Sequence, residues 1–147
     1  MMRKLPAINI GVLLVATIAC GGSSTPSSPS QTANVAFSQT DIVVGTGRQA
    51  ANGNRVTAHY TLWLYDSSRP DNKGTQIQTS VGGQPFPFVL GAGQVIRGWD
   101  QGVPGMAVGG KRRLIIPPSL AYGSAGSPPS IPPNATLVFE IEVVGID

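Results

Sequence analysis

Read for the alternation of apolar and polar side chains, the chain is strand-like from about Phe37 onward, and Gly and Pro cut it into short pieces. In "RVTAHYTLWLYD" a period of two puts Val56, Ala58, Tyr60, Leu62 and Leu64 on one face and Thr57, His59, Thr61 and Trp63 on the other. A strand with one apolar face has to bury it, so the first set is predicted to line a core. "FPFVL" repeats the device with Phe86, Phe88 and Leu90, "RLII" sets Leu114 with Ile116, and "TLVFEIEVV" places Leu137, Phe139, Ile141 and Val143 opposite Glu140 and Glu142. One-sided strands of this kind call for an antiparallel sheet packed on something.

The partner for that sheet is "QVIRGWDQGV", the one good place for a helix, where Val95 and Ile96 lie one turn before Trp99 on a common side. A sheet over one short helix is an α+β design. "YDSSRPDNKGTQ" is polar and turn-rich, and "YGSAGSPPSIPPNAT" is a long Gly/Pro loop ahead of the last strand. Loops of that length in a compact domain are usually functional.

Length and charge narrow the function. A chain of 147 residues is one ordinary domain with something to spare. Its formal charge of +3 rests partly on Arg3 and Lys4, and the remainder is nearly balanced, which gives no nucleic-acid signature. "KRR" at Lys111 to Arg113 leads into "LIIP" and reads as the start of a strand with solvated charges.

The N-terminus differs in composition from the rest of the chain. "MMRKL" followed by "INIGVLLVATIA" has the charged and apolar regions of a secretory signal, and the apolar stretch is too short to span a bilayer comfortably. "TIAC" resembles a bacterial lipobox with Thr17 in place of the usual leucine; the resemblance implies cleavage before Cys20, the only cysteine, and acylation of its thiol. Residues 1–19 are then a signal peptide and residues 20–36 a flexible Gly/Ser/Pro tether, with a reach of roughly 22 Å. The expected product is an exported lipoprotein on the periplasmic face or outer membrane of a bacterial envelope, carrying a domain over residues 37–147.

Several chemistries are disfavoured. His59 is the only histidine and is predicted on the outward face of its strand, no cysteine remains besides Cys20, and the carboxylates are scattered, so neither a Ser-His-Asp arrangement nor a metal site is expected. "GAGQVIRG" has the position of a dinucleotide loop between a strand and a helix, but Ile96 stands where the third glycine should fall. "NAT" at Asn134 matches a glycosylation sequon and is read as a plain turn.

Taken together, "VTAHYT", "PFPFVLGAGQVIRGWDQGVPGMAVGGKRRLIIPPSLAYG" and "IPPNATLVFEIEVV" resemble the FKBP-type peptidyl-prolyl cis-trans isomerases, in order and with the family's spacing over about Phe37 to Asp147. The resemblance implies a twisted antiparallel sheet of five or six strands wrapped around one short helix, with an apolar active-site cleft between them and no cofactor. It implies that Trp99 is the floor of a proline pocket, with Tyr60, Gln78, Tyr122 and Phe139 as its other catalytic residues. Ile77, Phe86, Val95, Ile96 and Ile131 are then substrate-binding. The implied partners are proline-containing polypeptides and macrolide ligands, the latter at reduced affinity. A monomer is expected, held to a membrane through its lipid.

The departures are specific. Where the family has a "FDSS"-like element, this chain has "IQTS", so Ile77 replaces the aromatic and Gln78 the carboxylate that lies beside the tyrosine matched by Tyr60. The amide is expected to accept a hydrogen bond from Tyr60 without supplying the charge. Turnover below the family's usual level is the expectation. The alternative is a chaperone-like module that binds proline segments with weak or no turnover.

Overall fold

In the computed structural model, which describes residues 35–147, the long alternating segment becomes strand β2 (Arg55–Tyr65), and the sheet is organised around it. On one side β2 pairs with β6 (Leu137–Ile146) from Val56 opposite Ile146 to Leu64 opposite Leu137. On its other side it pairs with two short strands in succession. β4 (Phe86–Val89) covers Arg55 to Ala58, and β3 (Lys73–Thr79) covers Thr61 to Tyr65. β5 (Lys111–Ile116) continues from β6, and β1 (Ser38–Val43) forms the far edge, giving a six-stranded sheet in the order β1-β5-β6-β2-β3 with β4 beside β2. Every pairing is antiparallel. The α+β class and the sheet around one helix are as the sequence predicts. Cys20, the signal segment and the tether up to residue 34 lie outside the described residues.

The alternation translates directly into burial. Val56, Ala58, Leu62, Phe88, Leu114, Ile116, Leu137, Ile141 and Val143 are all buried in one core. Against this face lies α1 (Arg97–Gly102), too short to be stable alone and held by packing. Gly98 and Gly102, one turn apart, face β5 so closely that a Cβ at Gly98 would lie 2.5 Å from Ile116 and one at Gly102 2.6 Å from Leu114. The two glycines let the helix lie flush on the strand. Asp100 ties the preceding loop to the helix by accepting the backbone N–H groups of Gly91 (2.8 Å) and Gly93 (3.3 Å). Both glycines have positive φ, 80° and 72°, a conformation that a side chain would strain.

Three elements depart from the sequence pattern, the first being the helix, which starts only at Arg97 and leaves Val95 and Ile96 in the loop before it, and the others two strands. β3 begins at Lys73, inside the segment read as polar turn, and β1 carries six exposed residues without a clean alternation. Both lie at the edges of the sheet, where only one side of the backbone is paired and the side chains need not be apolar.

The charges of "KRR" are not simply solvated. Arg112 shares its face with Leu114 and Ile116 and is buried, its guanidinium gripping Asp41 on β1 (2.5 and 3.3 Å) while donating to the carbonyls of Gly102 (2.8 Å) and Pro104 (3.2 Å). This one side chain fastens the edge strand to the end of the helix. On the opposite face Glu140, predicted to point outward, does so yet is only 9% exposed, because Lys73, Lys111 (3.5 Å) and Arg113 (3.1 Å) fold over it.

Burial alone would push the Glu140 carboxyl up. The hydrogen bonds from Lys73 and Arg113 and the charges of Lys73 and Lys111 outweigh it, holding the group below the ordinary glutamate range. A depressed folded value means that the stabilisation is fully present above the unfolded value of about 4.5 and is lost as pH falls through the folded one. Glu140→Gln is therefore expected to lower the melting temperature at pH 7, because three cations lose their shared counter-ion. The gap to wild type should narrow as pH is taken below about 4.5. Thermal unfolding across pH 3 to 8 tests this, and a pH-independent difference would contradict it.

Candidate active site

Between the apolar face of the sheet and α1 with its leading loop lies a cleft of about 370 Å³. Its floor is Trp99, 4% exposed, whose ring meets four others nearly edge to face. The centroid distances are 5.2 Å to Phe88, 5.3 Å to Tyr60, 5.4 Å to Phe139 and 6.1 Å to Phe86, with interplanar angles of 64° to 86°. Edge-to-face contacts satisfy the ring quadrupoles and hold each ring in one orientation. The floor is therefore built before any ligand arrives.

Each wall comes from a different element. β2 supplies Tyr60 and Leu62, β6 supplies Phe139, and β4 supplies Phe86, which lies T-shaped to Tyr60 at 6.1 Å and stacked on Phe88 at 6.0 Å. The alternation of β4 predicts Phe86 on the core face, and it is there, but at the mouth of the cleft and 39% exposed. The loop ahead of α1 forms a rim from Gly93, Gln94, Val95 and Ile96. Tyr122, 40% exposed, also lines the cleft, from just beyond the short turn Pro118–Leu120.

No residue lining the cleft carries a charge at neutral pH. Burial, and secondarily the nearby Tyr122 hydroxyl, push the Tyr60 phenol above its ordinary value, so that it keeps its proton and remains a hydrogen-bond donor. His59 stands apart from the cleft. Its Nδ1 lies 3.1 Å from the Ser80 carbonyl oxygen, which can only accept, so Nδ1 carries the proton.

Of the residues that the resemblance assigns to the site, Tyr60, Gln78, Phe86, Val95, Ile96, Trp99, Tyr122 and Phe139 line this cleft together. Ile131 and Ile77 do not. Ile131 is 5% exposed in the core, its backbone exchanging two 2.9 Å hydrogen bonds with Ser127 so that the Gly/Pro loop closes on itself. Ile77 sits at a bulge where the register with β2 shifts between Leu62 and Trp63, and it packs half-buried against the core.

Gln78 reaches the cleft, but no hydrogen bond joins it to Tyr60. The β2–β3 register puts Gln78 opposite Leu62, while the Tyr60 carbonyl accepts the Ser80 N–H and the Tyr60 N–H donates to the Ser80 hydroxyl, so the amide is a diagonal neighbour of the phenol. Three further lining residues lie outside the set that the resemblance implies. Leu62 shares the inward face with Tyr60, and Gly93 and Gln94 immediately precede Val95, so face and adjacency were the signals that would have found them. Gln94 is held in place by accepting the Val89 N–H at 3.0 Å.

This geometry has relatives. An "FK506-binding protein" of Neisseria meningitidis serogroup A is 44% identical over 107 residues, covering 72% of this chain and 92% of its own length. The "39 kDa FK506-binding nuclear protein" of Drosophila melanogaster is 46% identical over 106 residues, and this chain spans only 28% of its length. A crystal structure of AtFKBP13 superposes with a TM-score of 0.64 at 39% sequence identity, over 76% of this chain and 93% of that one. The model of the family described as FKBP-type peptidyl-prolyl cis-trans isomerase matches residues 46–144, a span that holds the whole cleft. The chain belongs to the FKBP-type peptidyl-prolyl cis-trans isomerase family.

Proposed function

We propose that the domain accelerates rotation about X-Pro bonds in exported or envelope polypeptides, with the proline ring seated on Trp99. The observation that carries this reading is a closed set of neutral rings around an indole floor, with no ionised side chain in contact. An X-Pro bond turns slowly because rotation must break amide resonance, across a barrier of roughly 18–20 kcal/mol. Resonance places charge on the planar imide, and water stabilises that charge. A dry apolar cleft withdraws this solvation, so the planar form loses more than the twisted one and the barrier falls.

The chain's own residues supply the shape. Trp99, Phe139 and Phe86 exclude water, Val95 and Ile96 hold one side of the ring, and the Tyr60 and Tyr122 hydroxyls are placed to orient the substrate backbone. No proton has to move and no metal is called on. Macrolides such as FK506, after which the relatives are named, would enter the same cleft, at reduced affinity because Gln78 brings no charge. The direct test is the cis-trans exchange rate of a short X-Pro peptide by NMR, with and without the domain. Acceleration proportional to protein concentration is expected, and an unchanged rate would sink the assignment.

Gln78→Asp is expected to raise turnover severalfold at most. A carboxylate would offer a stronger, charge-assisted acceptor, about twice as strong as a neutral one, and a negative field beside the turning imide. Its shorter reach from a diagonal position limits the gain. Both forms are compared on one peptide after thermal unfolding has shown each to be folded. An equal or lower rate in the substituted form would remove Gln78 from the machinery.

The domain is further proposed to be a monomer tethered to a bacterial envelope membrane by a lipid on Cys20. The charged and apolar leader, the lipobox-like "TIAC" and the uncharged tract that follows support this. Cys20→Ser is expected to move the protein from the membrane pellet to the soluble or unprocessed fraction. Mass spectrometry showing an unmodified N-terminus elsewhere in the wild type would overturn it.

A further inference from the structure

Beside the proline cleft lies a second depression, a shallow groove of about 600 Å³ walled by the connection between β3 and β4. The two are continuous, because Tyr60, Gln78 and Phe86 line both. Beyond these shared residues the groove runs along Val81, Gly83, Gln84 and Pro85, and none of its walls carries a charge. The Val81 side chain is 63% exposed at its edge, one of the most exposed large apolar groups among the described residues.

The connection is pinned, not loose. Ser80 accepts the Tyr60 N–H through its Oγ (2.9 Å), and its carbonyl accepts the Gly83 N–H (3.0 Å) and the His59 Nδ1–H (3.1 Å). The Val81 N–H donates to Thr79 Oγ1 (3.1 Å). A groove whose walls are fixed in advance costs a ligand little ordering. β3 is also the end of the sheet, so the strand beside the groove has one unpaired edge available to an extended chain.

We infer that this groove binds the residues next to the proline in a client polypeptide, as an extended and uncharged segment. The inference rests on the isomerase reading of the cleft. A proline held on Trp99 within a longer chain must send its neighbours out of the cleft, and the groove adjoins the cleft across Tyr60, Gln78 and Phe86, the residues that line both. Walls of Val, Pro, Gly and Gln give apolar contact and neutral hydrogen bonds but no partner for a charge. The groove would thus select for uncharged neighbours and add affinity that a minimal X-Pro peptide cannot show.

The experiment compares a core X-Pro peptide with versions lengthened by four residues on the N-terminal or the C-terminal side. Each extension is made uncharged, Lys-containing and Asp-containing. Binding is followed by intrinsic tryptophan fluorescence and turnover by NMR exchange, on wild type and on the double variant Val81→Asp with Gln84→Glu. In wild type the uncharged extension on one side should tighten binding at least about threefold over the core peptide. In the double variant the same extension series should come to prefer Lys over Asp by about fivefold or more at low ionic strength, a preference that collapses in 0.5 M salt.

If no extension tightens binding to wild type, or if the double variant shows no Lys preference on either side, the groove is not where the client lies. A core peptide that binds without being turned over would count against the isomerase reading instead. The Lys-to-Asp binding ratio would still decide the groove in that case.

Discussion

Trp99→Ala is expected to cut isomerisation of a short X-Pro peptide by at least about a hundredfold, equivalent to about 2.7 kcal/mol of lost transition-state stabilisation. The indole is both the surface on which the proline ring lies and the centre on which Tyr60, Phe86, Phe88 and Phe139 are arrayed. Removing it floods the floor and frees four rings at once. The same change should destabilise the fold by about 3–5 kcal/mol, the usual cost of deleting a large buried aromatic. Activity is therefore measured below the variant's own melting transition, with circular dichroism confirming that it is folded. Tyr122→Phe makes the comparison, since it removes one hydroxyl from an exposed side chain and should cost far less. If folded Trp99→Ala keeps activity within a few-fold of wild type, the proline does not lie on the indole.

Gly98→Val should cost about 3 kcal/mol of stability by overpacking, near the upper end for such substitutions, and lower the melting temperature by about 10 °C. A Cβ at Gly98 would already meet three carbons of Ile116 at 2.5 to 2.9 Å, and Ile116 is fully buried with no room to retreat. The helix would have to lift off β5. Since Trp99 is the next residue, lifting the helix also raises the floor of the cleft, so the activity that survives should fall together with stability. Thermal unfolding and the peptide assay on one preparation read both effects. Unchanged stability would mean that the helix approaches β5 less closely than the glycines allow.

Much of this architecture is local in origin. The inward faces of β2, β5 and β6 were legible because a strand buried on one side must alternate, and the alternation is written in adjacent residues. Trp99 was legible for a related reason, as the one large aromatic within the only helical stretch. Other features were decided by tertiary structure. β1 and β3 take their place by backbone pairing at the edges of the sheet, which asks little of their side chains. Arg112 is buried because Asp41, 71 positions away in the chain, and the carbonyls at the end of α1 converge on it. Glu140 reads as an outward residue of its strand and does face outward, but three distant cations cover it.

The site divides along the same line. That Tyr60, Phe86 and Phe139 share the inward face follows from a period of two within each strand. Whether Gln78 touches Tyr60, and whether Ile77 and Ile131 reach the cleft, depends on a bulge between two strands and on a loop that bonds to itself. A one-residue change of register re-aims a side chain without altering any local pattern. Periodicity along one segment therefore determines which face of that segment is buried, whereas register between segments, set by the whole packed sheet, determines which of the buried side chains meet.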